Sequence, residues 1–134
     1  MRNVKILILG YSSFVRRRVI PALKKNKKIE FCICSESHNI NLKKKIFYND
    51  FNISLQNFNP NIVYISKINS LHYKFAKLAL KKRYNTIVDK PVTLEINQAL
   101  ELLKIAKTKK LFFAEATLFN YHRVFNRILK ECGG

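Results

Sequence analysis

Residues 4–9, Val-Lys-Ile-Leu-Ile-Leu, form a short β-branched and aliphatic run that stops at Gly10, the pattern of a strand buried on both faces of a parallel sheet. A sharp turn must follow. Over residues 14–25 the apolar positions Val15, Val19, Ala22 and Leu23 recur at helical spacing, with Arg16, Arg17, Arg18, Lys24 and Lys25 largely outward. Pro21 is expected to kink this helix or shorten its first half.

Residues 29–34 read as a second strand and residues 35–41 as a polar loop. Between 41 and 61 the apolar positions Phe47, Tyr48, Phe51, Ile53, Leu55 and Phe58 fit neither period, so a short helix or an irregular connection is expected. Residues 62–66 give a third strand, and Ser70 is expected to cap a helix carrying Leu71, Phe75, Leu78 and Ala79 on one face. Residues 86–88 form a fourth strand, stopped by Asp89-Lys90-Pro91. Thr93 is the expected cap of the next helix, with Glu95 near its positive end and Ile96, Ala99, Leu100 and Leu103 as its apolar stripe. A fifth strand at 111–114 precedes a last helix within 118–131, where Tyr121, Phe125, Ile128 and Leu129 keep helical intervals. This alternation predicts an α/β fold of three layers, a Rossmann-like doubly wound domain with a mainly parallel sheet.

The length of 134 residues fits one such domain, spanning 1–134, and is short for two. The formal charge of +18, from 26 basic against 8 acidic residues, raises nucleic acid as a partner. Lys outnumbers Arg, however, and Ile and Asn are abundant, so a drift toward A/T-rich codons produces the same excess without a binding role. Cys32 and Cys34 lie two apart and face the same side of a strand, which is no zinc spacing; free, buried thiols in a reducing cytoplasm are expected, and no metal. No apolar run approaches the length of a membrane span.

In a doubly wound domain the first strand-to-helix turn offers amides and a helix N-terminus to an anion. Here that turn is Gly10-Tyr11-Ser12-Ser13-Phe14-Val15. Of the dinucleotide pattern G-x-G-x-x-G it keeps the first Gly, with Ser12 second and Val15 third. Ser12 is small enough to admit a phosphate and carries a hydroxyl that could donate to it.

Longer stretches are more specific. Asn61-Ile62-Val63-Tyr64-Ile65-Ser66, Asn69-Ser70-Leu71-His72, Ala76-Lys77-Leu78-Ala79-Leu80, Asp89-Lys90-Pro91-Val92-Thr93-Leu94, Glu115-Ala116 and His122 follow one another in order, after residues 5–10 and Pro21-Ala22-Leu23. In this the chain resembles the Gfo/Idh/MocA family, the glucose-fructose oxidoreductase and inositol dehydrogenase group of nicotinamide-dependent enzymes. The resemblance implies a Rossmann domain binding NAD or NADP. Carried over residue by residue, it places Gly10, Ser12, Ser13 and Phe14 at the pyrophosphate, and Ser35 and Glu36 at the adenine ribose. There Glu36 suits NAD and Ser35 suits NADP, which leaves the choice open. Ser66, Lys67, Asn69 and His72 would border the cofactor, with Ile68 where relatives usually have Pro. Asp89, Lys90 and Pro91 match the family's Glu-Lys-Pro element, whose Lys is catalytic at the nicotinamide and the substrate hydroxyl. Asn120 and Arg123 depart from the residues usual around His122.

Family members carry a second α/β domain that holds the substrate. The expectation is therefore the nucleotide-binding half of an oxidoreductase acting on a sugar or polyol, inactive or weakly active unless a separate chain or a homo-oligomer completes it. The alternative is a basic nucleic-acid-binding protein with a relict pocket.

Overall fold

The computed structural model describes residues 3–36, 47–117 and 123–131. Six strands, β1 (Val4–Leu9), β2 (Ile29–Cys34), β3 (Phe47–Tyr48), β4 (Ile62–Ile65), β5 (Asn85–Val88) and β6 (Phe113–Glu115), lie in the order β3-β2-β1-β4-β5-β6. All five pairings are parallel. The sheet is thus the doubly wound one expected, with β1 at its centre and the reversal of strand order between β1 and β4.

Alternation along each strand sorts the side chains into two layers. Leu7, Leu9, Cys32, Cys34, Val63, Ile65 and Val88 face one side, where they pack against α2 (Phe51–Phe58), α3 (Asn69–Lys81) and α4 (Ile96–Lys109). Ile8, Ile33 and Tyr64 face the other, beneath Val15 and Ile20 of the first helix. Cys32 and Cys34 share a face, as their spacing requires, and both thiols are free and buried. On this second side a groove of about 520 Å³ stays open over β4 and β5, walled by Val19 and Leu23 and floored by Ile6, Ile62, Tyr64 and Ile87.

Several local expectations change. The first helix opens with a π-helical turn, Val15–Val19, and continues as α1 (Ile20–Lys24). Pro21 has no N–H and its ring crowds the carbonyl four residues back, so a wider turn ahead of it accommodates the ring. The unassigned stretch contains both the two-residue β3 and α2, whose N-terminus is capped by Asp50 Oδ1 accepting from the Ile53 N–H at 2.8 Å. Residues 37–46 lie outside the described residues.

Ser70 does not cap α3. The helix starts at Asn69, after Ile68 in an extended conformation; of the expected stripe Ala79 is buried and Phe75 and Leu78 pack partly buried against the core, and the other buried residues are His72, Ala76 and Leu80. Nor does Thr93 cap α4; Glu95 holds that position, and Thr93 Oγ1 donates to the Glu95 carbonyl at 2.9 Å. The inward face of α4 is Leu102 and Ala106, leaving Ile96, Leu100 and Leu103 exposed. The last helix is α5 (Arg123–Glu131); Tyr121 of its expected stripe lies outside the described residues, with the rest of 118–122. No helix among the described residues is long and apolar enough to cross a membrane.

Candidate functional site

The residues just past the strands continue the sheet's hydrogen bonding and form one row across its carboxyl-terminal edge. Ser35 N–H donates to Tyr48 O at 2.9 Å, Gly10 N–H to Cys34 O at 2.8 Å, and Ser66 N–H to Leu9 O at 2.8 Å. The row continues with Asp89 N–H to Ile65 O at 2.9 Å and Ala116 N–H to Val88 O at 2.8 Å. Four predicted site residues, Ser35, Gly10, Ser66 and Asp89, thereby become neighbours although they are far apart in sequence. The row crosses the point where strand order reverses, the usual ligand crevice of an open α/β sheet.

Gly10 sits in this row at φ +113, a conformation L side chains avoid. A Cβ there would lie 2.2 Å from the Ser66 carbonyl oxygen, so the first two loops touch only because position 10 has no side chain. Beyond Gly10, Ser12 turns inward. Its Oγ accepts the Val15 N–H at 3.1 Å and lies 3.1 Å from Ser66 Oγ. Arg16 N–H bonds the Ser12 carbonyl at 3.0 Å. The first N–H groups of a helix have no partner within it, so those of Ser13 and Phe14, both exposed, are the ones presented to an anion.

Ser66 Oγ donates to Asp89 Oδ2 at 2.5 Å, and Tyr64 Oη donates to Asp89 Oδ1. Burial, then the Asp89 carboxylate, push the Tyr64 phenol far above its ordinary value, so it stays a donor. Tyr64 is the site residue that motif matching missed. Its signal was present: it stands two positions before Ser66, hence on the same face, and a buried Tyr hydroxyl needs a partner.

His72 is fully buried. Its Nδ1 lies 2.7 Å from Pro91 O and its Nε2 2.9 Å from Lys67 O, so the ring braces the loop after β4 against the loop after β5 and reaches the crevice only through them. The Lys67 side chain, 14% exposed, points back across the crevice to Glu36 at 3.6 Å and lies over the Phe75 ring. Asn69 is the exposed first residue of α3. Lys90 and Pro91 are exposed on the loop after β5, joined by a cis peptide bond. That loop is held from the far side by Glu115, whose Oε2 accepts the Val92 N–H at 2.8 Å. Ser35 and Glu36 thus stand on one flank of Gly10, and Lys67, Asp89 and Lys90 on the other. His122 lies outside the described residues.

Comparison with known proteins agrees with this geometry. Residues 4–117 match the family model described as an oxidoreductase family with an NAD-binding Rossmann fold. The D-xylose 1-dehydrogenase (NADP(+)) of Hypocrea jecorina is 38% identical over 63 residues, covering 47% of this chain and 16% of that protein. The uncharacterized oxidoreductase YdgJ of Escherichia coli is 27% identical over 117 residues, covering 79% of this chain and 32% of its own length. Among solved structures, the 3-ketoreductase KijD10 of Actinomadura kijaniata, in complex with TDP-benzene and NADP, superposes with a TM-score of 0.87 at 20% identity. That match covers 98% of this chain and 43% of KijD10. The chain therefore spans less than half the length of these relatives, and within that span it belongs to the Gfo/Idh/MocA oxidoreductase family as its NAD-binding Rossmann domain.

Proposed function

We infer that this chain binds a nicotinamide dinucleotide, NAD or NADP, along the carboxyl-terminal edge of its sheet, and that it is the nucleotide half of an oxidoreductase acting on a sugar or polyol. The observation that carries the reading is the Ser35–Gly10–Ser66–Asp89 row, with the glycine pinched against the neighbouring loop. The residues fit the group. The turn of Gly10, Ser12, Ser13 and Phe14 holds the pyrophosphate through main-chain N–H groups, and Ser35 and Glu36 lie where an adenine ribose would be received. Lys67 and Asn69 border the crevice beyond Ser66.

When bound, the nicotinamide ring exchanges a hydride with a substrate carbon. Lys90, exposed and without a hydrogen bond or ion pair among the described residues, is free to point its ammonium at the substrate oxygen. There it orients a hydroxyl, or stabilises the negative charge that develops as the hydroxyl proton leaves and the hydride moves. Pro91, Asp89 and His72 hold the loop that presents it. A second domain would bring the remaining substrate contacts.

Titration with NADH and NADPH, followed by reduced-cofactor fluorescence, tests the reading. A saturable signal supports it, and none at high micromolar cofactor overturns it. Turnover detected on a panel of sugars and polyols should vanish in Lys90→Ala while cofactor affinity stays within about threefold. Turnover that survives the substitution removes Lys90 from its role.

A further inference from the structure

Four hydroxyl and carboxyl side chains from three loops and one strand run in a line beneath the crevice: Ser12, Ser66, Asp89 and Tyr64. Donor and acceptor rules fix the direction of every bond in it. The Asp89 carboxylate only accepts, so Tyr64 and Ser66 both spend their single protons on it. Ser66 then has only lone pairs left for Ser12, and Ser12 must donate. Ser12 meanwhile accepts the Val15 N–H.

We propose that Asp89 orders a one-way chain in which the Ser12 hydroxyl proton is committed to Ser66, so that the nucleotide loop grips phosphate by its main-chain N–H groups alone, with Asp89, Ser66 and Tyr64 as its positioning residues. This rests on the dinucleotide reading of the site and sharpens it. The residue at the second position of the glycine pattern is no phosphate ligand. It ties the loop to the end of β4 and, through Ser66, to the same carboxylate that precedes Lys90. The pyrophosphate loop and the loop bearing the reactive Lys are thereby registered against one another by side chains that touch neither phosphate nor substrate.

A double-substitution cycle at positions 12 and 66 separates this from a merely structural role. Ser12→Gly removes the hydroxyl but no phosphate ligand, so it should weaken NADH and NADPH binding less in the unmodified protein than in a Ser66→Ala background. Ser66→Ala removes the proton's destination and frees the Ser12 hydroxyl to turn outward. In that background Ser12→Gly should weaken binding by at least about fivefold, the value of one hydrogen bond to phosphate. A larger loss from Ser12→Gly alone, or effects of the two substitutions that simply multiply, overturns the proposal; thermal melting confirms that each variant is folded.

The direction of the chain is also read without nucleotide. In proton NMR of the free protein, the Ser12 hydroxyl proton should show Overhauser contacts to the Ser66 side chain, and the opposite order overturns the proposal. Should the unmodified chain bind neither dinucleotide while this order holds, the reading of the site fails and the hydroxyl chain stands.

Discussion

Gly10 shows how much one residue can reveal and how little its neighbours do. As the glycine ending an aliphatic run it was legible at once, and its φ of +113 and the 2.2 Å that a Cβ would leave to Ser66 O explain the residue type. Gly10→Ala is expected to destabilise the fold by about 3 kcal/mol or more through backbone strain and loop displacement, measured by urea denaturation. An unchanged midpoint would show that the loops separate freely. The partner of Ser12 was not legible, because Ser66 is 54 positions away and only the sheet brings them together. The cysteines illustrate the converse. Their period of two fixed a shared face, and burial there pushes both thiols up from an ordinary 9.0, with each other's charge adding to Cys32. Above that pH the unfolded chain releases protons that the folded chain keeps, so this contribution to stability is whole below pH 9.0 and declines as pH rises. Between about pH 8 and pH 10.5 the unmodified protein should therefore lose more stability than a Cys32→Ala, Cys34→Ala variant does, each measured against its own value at the lower pH.

Elements were readable where one period dominates and obscure where two compete. Strands β1, β2, β4 and β5 are each rich in aliphatic, aromatic or β-branched residues, whereas β3 is two residues long and is set by the register of Phe47 and Tyr48 with Ile33 and Cys34. Helix α4 has two apolar stripes, and periodicity cannot say which one meets the sheet. Leu102 and Ala106 pack against the core, and Ile96, Leu100 and Leu103 are left outside. In α3 the inward stripe centres on a polar residue, which a hydrophobic template overlooks. His72 joins the β4 and β5 loops through two carbonyl oxygens, at 2.9 Å and 2.7 Å. His72→Phe puts a larger ring in the interior that donates to neither carbonyl, and is expected to cost about 1–3 kcal/mol through the unmet acceptor and the overpacking. Chemical denaturation measures it, and a loss under 1 kcal/mol on the order of one surface contact would mean that the loops hold without the brace.

At the scale of the molecule, layer arithmetic explains the open face. Right-handed crossovers put the helices after β4 and β5 on one side of the sheet and the first helix on the other, so among residues 3–36 and 47–117 the second side is covered near β1 and β2. The uncovered part is apolar, since Ile62, Tyr64 and Ile87 alternate toward it with the same period that buries Val63, Ile65 and Val88. Among the described residues Arg18 is the one basic side chain lining this groove of about 520 Å³. An apolar recess of that size on a folded chain should bind 8-anilinonaphthalene-1-sulfonate, drawn in by the apolar floor and the guanidinium at its edge. Dye fluorescence should rise with the native protein, before any unfolding. Ala22→Glu, on the exposed flank of α1 where it lines the groove, should suppress that rise while leaving the melting temperature in place. Equal dye binding by the two proteins would mean that the recess is closed in solution.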